Sequence, residues 1–393
     1  MRPGSPLLAL QLLALLVEMP GCSDRSTDPG KAGENFAAPG EIITIAGTGV
    51  AGFAGDGAAA RAAQLTMPVD VLVRPSGELI VVDFGNHRIR SIAVATGVIS
   101  TLAGTGQTTG GGALHHPTSI VFDEEVSYVA SWGDHVVWRY AESANREIVV
   151  GTGERGCAGD VAGQRAKEIA ISWPRSVGLL GDRSLLFGEP GCQRLRAVSP
   201  AGELSTYAGT GQSGYSGDDG PAVDATFGGP YGGAGETVPP FGFALSPENP
   251  PDELYIADTA NNVIREINLF NGMVETFAGS GEAGFDDGPP EAATFNRPTA
   301  VFVSEDHTVW VVDGGNHAIR SIDPLQTEVT TVVGTGEAGY NGDHIAALEA
   351  QLDSPAGVHV TNSGIMYIAD SGNHRIRQVS LPGFEHDSDD HDE

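Results

Sequence analysis

Basic side chains are scarce in this sequence. Its 393 residues include 21 Lys and Arg against 51 Asp and Glu, which gives a formal net charge of -30 at pH 7. A surface of that sign repels the phosphates of nucleic acids and anionic lipid headgroups. We therefore expect no nucleic-acid partner, and the excess of carboxylates is typical of a highly soluble surface.

Long apolar runs are also lacking. The one marked run, residues 7–17 (LLALQLLALLV), is shorter than the roughly 20 helical residues that cross a bilayer. Placed after Arg2, it suits the apolar region of a secretory signal. The following Met19-Pro20-Gly21-Cys22 resembles a bacterial lipoprotein processing site, at which the Cys takes a lipid on its thiol. We predict a signal peptide over residues 1–22 and lipid attachment at Cys22. The alternative is an ordinary exported protein cleaved nearby.

These features place the chain outside the cytoplasm, either as a lipoprotein of the bacterial outer membrane, periplasm or cell surface, or as a secreted protein. The membrane is reached only through the N-terminal lipid. Residues 23–40 are predicted to be a flexible linker. The acidic residues 382–393 are predicted to be a disordered tail, which could chelate metals weakly or simply aid solubility.

Helical periodicity is missing from the body of the chain, and Gly, at 55 residues, is abundant. Instead, one unit recurs six times. Its clearest copies read VVDFGNHRIRSI (81–92), IADTANNVIREI (256–267), VVDGGNHAIRSI (311–322) and IADSGNHRIRQV (368–379). The acidic position of the unit falls, 48 to 69 residues apart, at Asp83, Ser131, Glu189, Asp258, Asp313 and Asp370.

Each unit contains four short apolar or alternating runs separated by turn residues, which predicts four antiparallel strands. Four strands at this period are typical of a propeller blade. The sixth unit lacks its last run, and a run of that type (IITIAGTG, 42–49) stands alone before the first unit. We predict an all-β, six-bladed β-propeller over residues 41–381, with four-stranded antiparallel blades and an N-terminal strand that completes the last blade and closes the ring.

The run Asn-His-Arg-Ile-Arg at residues 86–90 and 373–377 resembles the NHL-repeat family. The resemblance extends over nearly the whole body of the chain. It implies a propeller that serves as a binding platform, as a sensor domain or occasionally as an enzyme. We expect the protein to be a monomer.

The polar residues of the repeated turn are expected to be structural. Asp and Asn stabilise tight turns, and a feature found in almost every blade serves the blade. These residues are Asp83, Asn86, His87, Asp258, Asn261, Asp313, Asn316, His317, Asp370, Asn373 and His374. Acidic Gly-rich loops at 55–57, 217–220 and 285–288 could hold Ca²⁺ through carboxylates, or could be Asp-Gly turns.

Positions at which one blade departs from the others point to a binding site. The residue before the Pro of each inner strand is predicted to lie at the mouth of the central channel: Met67, His116, Trp173, Pro239, Arg297 and Ser354. Residues next to these positions, including those just after the Pro, are expected to lie at the same mouth. The candidate ligand-binding residues are His115, His116, Thr118, Trp173, Arg175 and Arg297. The extension at 228–240 is predicted to lie over this mouth as a lid. Cys157 and Cys192, in two loops at one end of the third unit, are predicted to form a disulfide.

Sequences typical of catalysis are missing as well: there is no Gly-x-Ser-x-Gly elbow, His-Glu-x-x-His helix or phosphate loop. We therefore favour an exported module that binds a protein, a peptide or a carbohydrate through its loop-rich face, with no cofactor and no catalytic residue. The alternative is a metal-dependent propeller enzyme, similar to a lactonase or lyase, with Ca²⁺ or another divalent metal in the channel. Asp70 and His359 are the inward-facing candidates for that reading.

Overall fold

The computed structural model describes residues 37–124, 126–141, 146–160, 163–228 and 241–383. Over these ranges, 26 strands form six antiparallel sheets, each with four main strands. The four main strands follow chain order in five sheets, and the sixth sheet takes its outer main strand from the N-terminus. Helical structure in the same ranges is limited to three-residue 3-10 turns. The chain is a six-bladed β-propeller, as the repeats predicted.

The blades are numbered I to VI, and strands are given from the channel outwards. Blade I contains β2 (Pro68–Val73), β3 (Glu78–Asp83), β4 (Arg88–Ala93) and β5 (Val98–Ala103). Blade II contains β6 (Pro117–Asp123), β7 (Val126–Ser131), β8 (Val136–Ala141) and β9 (Arg146–Val150). Blade III contains β10 (Val177–Leu179), β11 (Leu185–Glu189), β12 (Arg194–Val198) and β13 (Leu204–Ala208).

Blade IV contains β15 (Phe243–Leu245), β16 (Glu253–Asp258), β17 (Val263–Asn268) and β18 (Met273–Ala278), with β14 (Gly220–Pro221) at its outer edge. Blade V contains β19 (Ala300–Val303), β20 (Val309–Asp313), β21 (Ala318–Ile322) and β22 (Val329–Val333). Blade VI contains β24 (Gly357–Val360), β25 (Ile365–Asp370), β26 (Arg375–Ser380) and β1 (Glu41–Ala46), with β23 (Ile345–Ala346) outside β1. The 3-10 turns are Ala60–Ala62, Phe84–Asn86, Ala166–Glu168, Pro190–Cys192, Ala222–Asp224, Thr259–Asn261, Gly314–Asn316 and Ala347–Glu349.

The strands stack because each sheet is buried on both faces. In β3, Leu79 and Val81 pack with residues of blade VI, whereas Ile80 and Val82 point the other way and pack with residues of blade II. All four are fully buried. Side chains alternate between the faces of a strand, and β-branched residues suit this two-sided packing. A run of consecutive apolar residues therefore forms a strand held between two neighbouring blades.

The ring is closed by the N-terminal strand, as predicted. β1 pairs antiparallel with β26, with Ile42 opposite Val379 and Thr44 opposite Arg377. The backbone N–H of Gly40 also donates to the carbonyl of Ser380 at 2.7 Å. β1 therefore covers the edge that β26 would otherwise expose.

A buried ion network fixes the repeated turn of blade I. The carboxylate of Asp83 accepts hydrogen bonds from the Thr66 N–H (2.8 Å), the Asn86 side chain (2.8 Å) and Arg90 (3.4 Å). Arg90 is fully buried, and its second guanidinium nitrogen lies 2.6 Å from Asp56 of the Gly-rich loop. Arg90 therefore points into its own blade and joins the turn to the loop.

Four other blades contain the same triad of turn acid, buried Arg and loop Asp. The members are Glu189, Arg196 and Asp160; Asp258, Arg265 and Asp218; Asp313, Arg320 and Asp287; Asp370, Arg377 and Asp343. The loop carboxylates Asp56, Asp218 and Asp287, considered above as Ca²⁺ ligands, are thus paired with guanidinium groups.

Blade II departs from this pattern. Ser131 stands at the acidic position and Trp138 at the Arg position, as the strand register shows. The carboxylate comes instead from Asp134, which accepts from Ser131 Oγ at 2.7 Å and from the His115 N–H at 3.1 Å. The function of the turn acid is therefore kept while the ion pair is lost.

Cys157 and Cys192 form a disulfide within blade III, as predicted. It joins the Gly-rich loop to the turn after β11. The predicted signal peptide with Cys22, most of the predicted linker, residues 229–240 of the predicted lid and the predicted tail from residue 384 lie outside the described residues. Within the ranges that are described, no helix is long and apolar enough to cross a membrane.

Candidate functional site

The mouth of the channel is built from residues with left-handed backbone, each at the entry to an inner strand. Among the described residues these are Met67, His116, Trp173, Arg297 and Ser354, with φ values from 48° to 56°. In blade IV the sequence predicts Pro239 at this position, and Pro239 lies outside the described residues. Residues other than Gly adopt this backbone conformation at a cost in free energy. The fold requires the conformation, but the identity of the side chain is left free.

Each mouth residue is held by the preceding blade. The His after the turn, itself left-handed, accepts the backbone N–H of the mouth residue on its Nδ1: His87 from His116 at 3.2 Å and His374 from Met67 at 3.1 Å. In blade IV, Asn262 Oδ1 does the same for Arg297 at 2.9 Å. The repeated His is therefore a clasp between neighbouring blades.

Aromatic rings gather at the mouth of blades I and II. The ring of His116 stacks on Phe84, with centroids 4.4 Å apart and an interplanar angle of 16°. The rings of His87 and His115 lie 4.5 and 4.7 Å from it. Trp132 lies 5.9 Å away in an edge-on arrangement. These rings are half-buried, so part of each stays open to solvent.

The cluster continues into blade III. Trp173 stacks on Trp132 with centroids 5.6 Å apart and an interplanar angle of 12°. The guanidinium of Arg155 lies over the Trp173 ring at 3.6 Å, and His135 lies 6.4 Å away. We call this set the aromatic platform: Phe84, His87, His115, His116, Trp132, His135, Arg155 and Trp173.

Three imidazoles of the platform, those of His87, His116 and His135, favour the neutral form because their pKa values are lowered. Burial, followed by repulsion from His87 and His115, lowers the pKa of His116 to about 4. Burial also lowers the pKa of His87 and His135. Nδ1 of His116 and Nε1 of Trp132 are buried without a hydrogen-bond partner among the described residues. The platform thus combines flat apolar faces with unused hydrogen-bonding capacity.

Three of the six sequence candidates meet in the platform: His115, His116 and Trp173. Thr118 and Arg175 lie in the channel wall. Thr118 is fully buried and donates to the carbonyl of Arg175 at 2.8 Å, while Arg175, 2% exposed, donates to the carbonyl of Thr118 at 3.1 Å. Arg297 is exposed at the mouth of blade V. The candidates therefore occupy different surroundings.

The sequence interpretation missed Phe84, Trp132, His135 and Arg155. A signal was present, because Phe84 and Trp132 directly follow the turn acid position in units I and II, where other units have small residues or Pro. That position lies beside the mouth residue of the next blade. Aligning the turns by blade would have brought the two sets together.

The central cavity of about 460 Å³ is lined by the first strand of every blade. Asp70 and His359 are among its lining residues, as expected. Burial raises the pKa of Asp70 to about 6 against the opposing charge of Arg175, and burial lowers the pKa of His359 to about 4. In the part of the chain described here, no group of three or more His, Cys, Asp or Glu is placed to hold a metal ion.

Comparison with known proteins places the repeats in context. The NHL repeat family model matches residues 352–379. NHL repeat-containing protein 2 of Gallus gallus is 26% identical over 347 residues, which cover 81% of this chain and 47% of that protein. SUPPRESSOR OF QUENCHING 1 of Arabidopsis thaliana is 32% identical over 150 residues, covering 36% of this chain and 14% of that protein. The chain thus spans less than half the length of either relative.

Solved structures share the architecture at low sequence identity. An auxiliary nutrient binding protein from Bacteroides thetaiotaomicron is 15% identical with a TM-score of 0.60, over 86% of this chain and 75% of that one. A gluconolactonase from Xanthomonas campestris is 12% identical with a TM-score of 0.51, over 87% of this chain and 89% of that one. At such identities the likeness concerns the fold alone.

Proposed function

Because the chain is an NHL-repeat β-propeller, we propose that it acts as a binding module whose ligand contacts the aromatic platform. The observation that carries the proposal is the continuous run of half-buried rings from Phe84 through His116 and Trp132 to Trp173. His116 and Trp173 have left-handed backbone at the mouth position of blades II and III. The equivalent residue of blade VI is Ser354, so the fold does not require an aromatic ring at this position. Half-exposed aromatic rings that carry a polar edge are common where proteins contact their ligands.

The ligand class that fits best is a carbohydrate. Neutral imidazoles and indoles offer flat faces that pack against the C–H face of a sugar ring, and their nitrogens exchange hydrogen bonds with hydroxyls. The guanidinium of Arg155, exposed at one end, adds a donor. A peptide with an aromatic or Pro side chain is the second fit to the same surface.

Binding is tested by a glycan array and a peptide library, followed by calorimetry on the hits. Trp173→Ala is expected to weaken binding by at least tenfold, as large aromatic anchors usually do. Ser354→Ala is the matched control, since it alters the equivalent mouth position away from the platform. If a ligand binds Trp173→Ala and His116→Ala with the same affinity as the wild type, the platform is not its binding site.

Export and lipid anchoring complete the proposal. The disulfide supports an oxidising compartment, where such bonds persist. Lipid attachment at Cys22 is tested by fractionating cells that express the wild type or Cys22→Ala. We expect the wild type in the membrane fraction and the variant in the soluble exported fraction. Membrane association of Cys22→Ala would count against the anchor.

The enzymatic alternative would use Asp70 and His359, which line the central cavity. Metal analysis of the purified protein, with and without chelator, separates the two functions. Stoichiometric metal whose removal lowers the melting temperature, and which is lost in Asp70→Asn, would favour the enzyme. Binding at the platform that is unaffected by chelator and by Asp70→Asn would favour the binding module.

A further inference from the structure

A second cavity, distinct from the channel and the platform, lies at the seam where blade VI meets blade I. Its volume is about 140 Å³. Blade VI contributes Ile45 of β1, Tyr367 of β25 and Gln378 of β26 to the lining. The side of blade I contributes Ala60, Ile92 and Val94. An engineered apolar cavity of about 150 Å³ takes up benzene. A single six-membered ring therefore fits this seam.

Most of the wall is apolar. Ile92 is 4% exposed and Ala60 is 1% exposed, and both belong to the core cluster between blades VI and I. Ile45 and Val94 pack against the same cluster. A ligand ring here would bury its faces against aliphatic carbon, which favours an uncharged ligand.

One polar group in this wall lacks a partner. Gln378 is 1% exposed, and its Oε1 has no hydrogen-bond partner in the described part of the chain. In the sheet it stands opposite Ile43 of β1 and Tyr367 of β25. Ile43 has no side-chain donor, so the closing strand offers this oxygen nothing. A buried carbonyl without a donor is costly, and a ligand donor would relieve it.

The equivalent position in blade I shows how the sheet normally deals with a polar side chain there. Ser91 stands opposite Ser100, and their hydroxyls are 3.0 Å apart. The pair is self-contained. In blade VI the longer Gln378 replaces the Ser, and its neighbour on the outer strand is aliphatic. The unused acceptor is therefore particular to the closing blade.

Tyr367 adds a second polar edge. It is 4% exposed, and burial raises the pKa of its hydroxyl to about 12. The hydroxyl of Tyr367 therefore stays protonated at physiological pH. The neighbour of Gln378 on β25 is thus uncharged. Arg61 also lines the cavity, but its side chain is exposed to solvent. The cavity thus has apolar faces, one vacant acceptor at Gln378 and its one charged lining group at the solvent side.

We propose that the seam between blades VI and I binds a small phenolic molecule, with its ring between the two blades and its hydroxyl donating to Oε1 of Gln378. Because β1 contributes to the wall, the bound ligand would also hold the closing strand in place. The site is separate from the platform, so the two proposals stand or fall independently.

The test is calorimetric titration of the full chain with phenol and with toluene, which match in shape but differ in the donor. We expect phenol to bind the wild type at least about tenfold more tightly and to raise its melting temperature as binding saturates. In Gln378→Met, a nearly isosteric change, toluene should bind and the preference for phenol should vanish.

Val94→Trp fills the cavity from the blade I side and is expected to abolish binding of both compounds. Ser91→Ala, at the equivalent position of blade I, should leave both affinities unchanged. Equal affinity of the wild type for phenol and toluene would overturn the proposal, as would phenol binding that survives in Val94→Trp. If Gln378→Met does not fold, the comparison of the two compounds on the wild type and Val94→Trp still decides.

Discussion

At the scale of single residues, the repeated His has a structural function that depends on its protonation state. Nδ1 of His374 accepts the Met67 N–H and so must be unprotonated. Partial burial, with a further contribution from the Arg375 charge, lowers the pKa of His374. The native state therefore prefers the neutral imidazole more strongly than the unfolded chain does. The contribution of this residue to stability is full above pH 6.5 and is lost as pH falls further.

The matched variant is His374→Asn, because Asn262 performs the same task in blade IV without titrating in this range. We expect the wild type to lose stability relative to His374→Asn as pH falls from 7.5 to 5. At pH 7.5 the two should agree within about 1 kcal/mol, the worth of one hydrogen bond. Urea denaturation at several pH values measures the difference.

The reciprocal variant is Asn262→His, which should acquire the pH dependence that His374→Asn loses. Parallel curves of stability against pH for the wild type and His374→Asn would show that the imidazole does not carry the effect. Glu and Asp residues titrate in both proteins alike, so the comparison isolates the single group.

The clasp was only partly predictable from the sequence. Asp83, Asn86 and His87 were recognised as turn residues because they recur, but recurrence does not say which group a side chain reaches. The partner of His87, the backbone N–H of His116, lies in the next blade, and its position follows from stacking of sheets that a linear sequence does not display. Asn262 in a His position was the available hint, since both side chains can accept one hydrogen bond.

At the scale of the blade, the triad of turn acid, buried Arg and loop Asp determines how the turn and the Gly-rich loop are held. Removing one member leaves a buried charge uncompensated, which typically costs about 3–5 kcal/mol. Arg90→Met is expected to do this in blade I. Burial already raises the pKa of Asp83 to about 6.

The loss in Arg90→Met should be smaller at pH 5 than at pH 8. A carboxyl whose pKa is raised in the native state penalises folding above that pKa and ceases to do so as pH falls and it binds a proton. Guanidinium chloride denaturation at the two pH values measures this. An equal loss at both would mean that Asp83 is not the charge left behind.

Blade II provides the control, because it lacks the ion pair naturally. The combination Asp83→Ser, Asn86→Asp and Arg90→Met imports its arrangement of Ser131 and Asp134. Replacing buried ion pairs by packed side chains is often nearly neutral. We therefore expect the triple variant to recover more than half of the stability that Arg90→Met loses.

The sequence contains a signal for this triad that comparison of single positions between the units does not detect. Unit II lacks the turn acid, the Arg and the loop Asp together, with Ser131, Trp138 and a loop reading GQTTGGG. Joint loss of three separated residues indicates that they interact. The strand pattern alone does not show that Arg90 is buried, because a buried guanidinium is uncommon without a visible partner.

At the scale of the whole molecule, stability depends on the fastening of β1 to blade VI. Ile42, Ile43 and Ala46 are fully buried, and the Thr44 backbone N–H and hydroxyl both donate to Asp343 at 2.8 Å. Burial of two Ile side chains and a ladder of backbone hydrogen bonds together contribute about 5 kcal/mol or more.

Deleting residues 41–47 is therefore expected to lower the melting temperature by about 10 °C or more, measured by calorimetry. A deletion of equal length within residues 24–33, predicted to be linker, should change it little. Thr44→Val, which removes only the hydroxyl contact with Asp343, should fall in between. An unchanged melting temperature after loss of β1 would mean that the ring does not depend on it.

The closure was the part of the architecture that the sequence predicted best, since an orphan segment and a gap of the same type could be matched by inspection. The platform was predicted less well. Its residues come from three blades, and their convergence depends on blade order, on left-handed backbone at His116 and Trp173, and on ring orientation. None of these is readable from spacing alone.

The pairing of β1 with β26 also sets an order of events during synthesis. Thr44 emerges from the ribosome almost 300 residues before Asp343, and Thr48 is separated from Arg375 by 327 positions. Blades I to V can assemble as they appear, but the final sheet must wait for release of the last strand. Until then the first strand has no complement, so a nascent chain stalled before residue 375 would be the species most prone to capture by chaperones or to pairing with another copy.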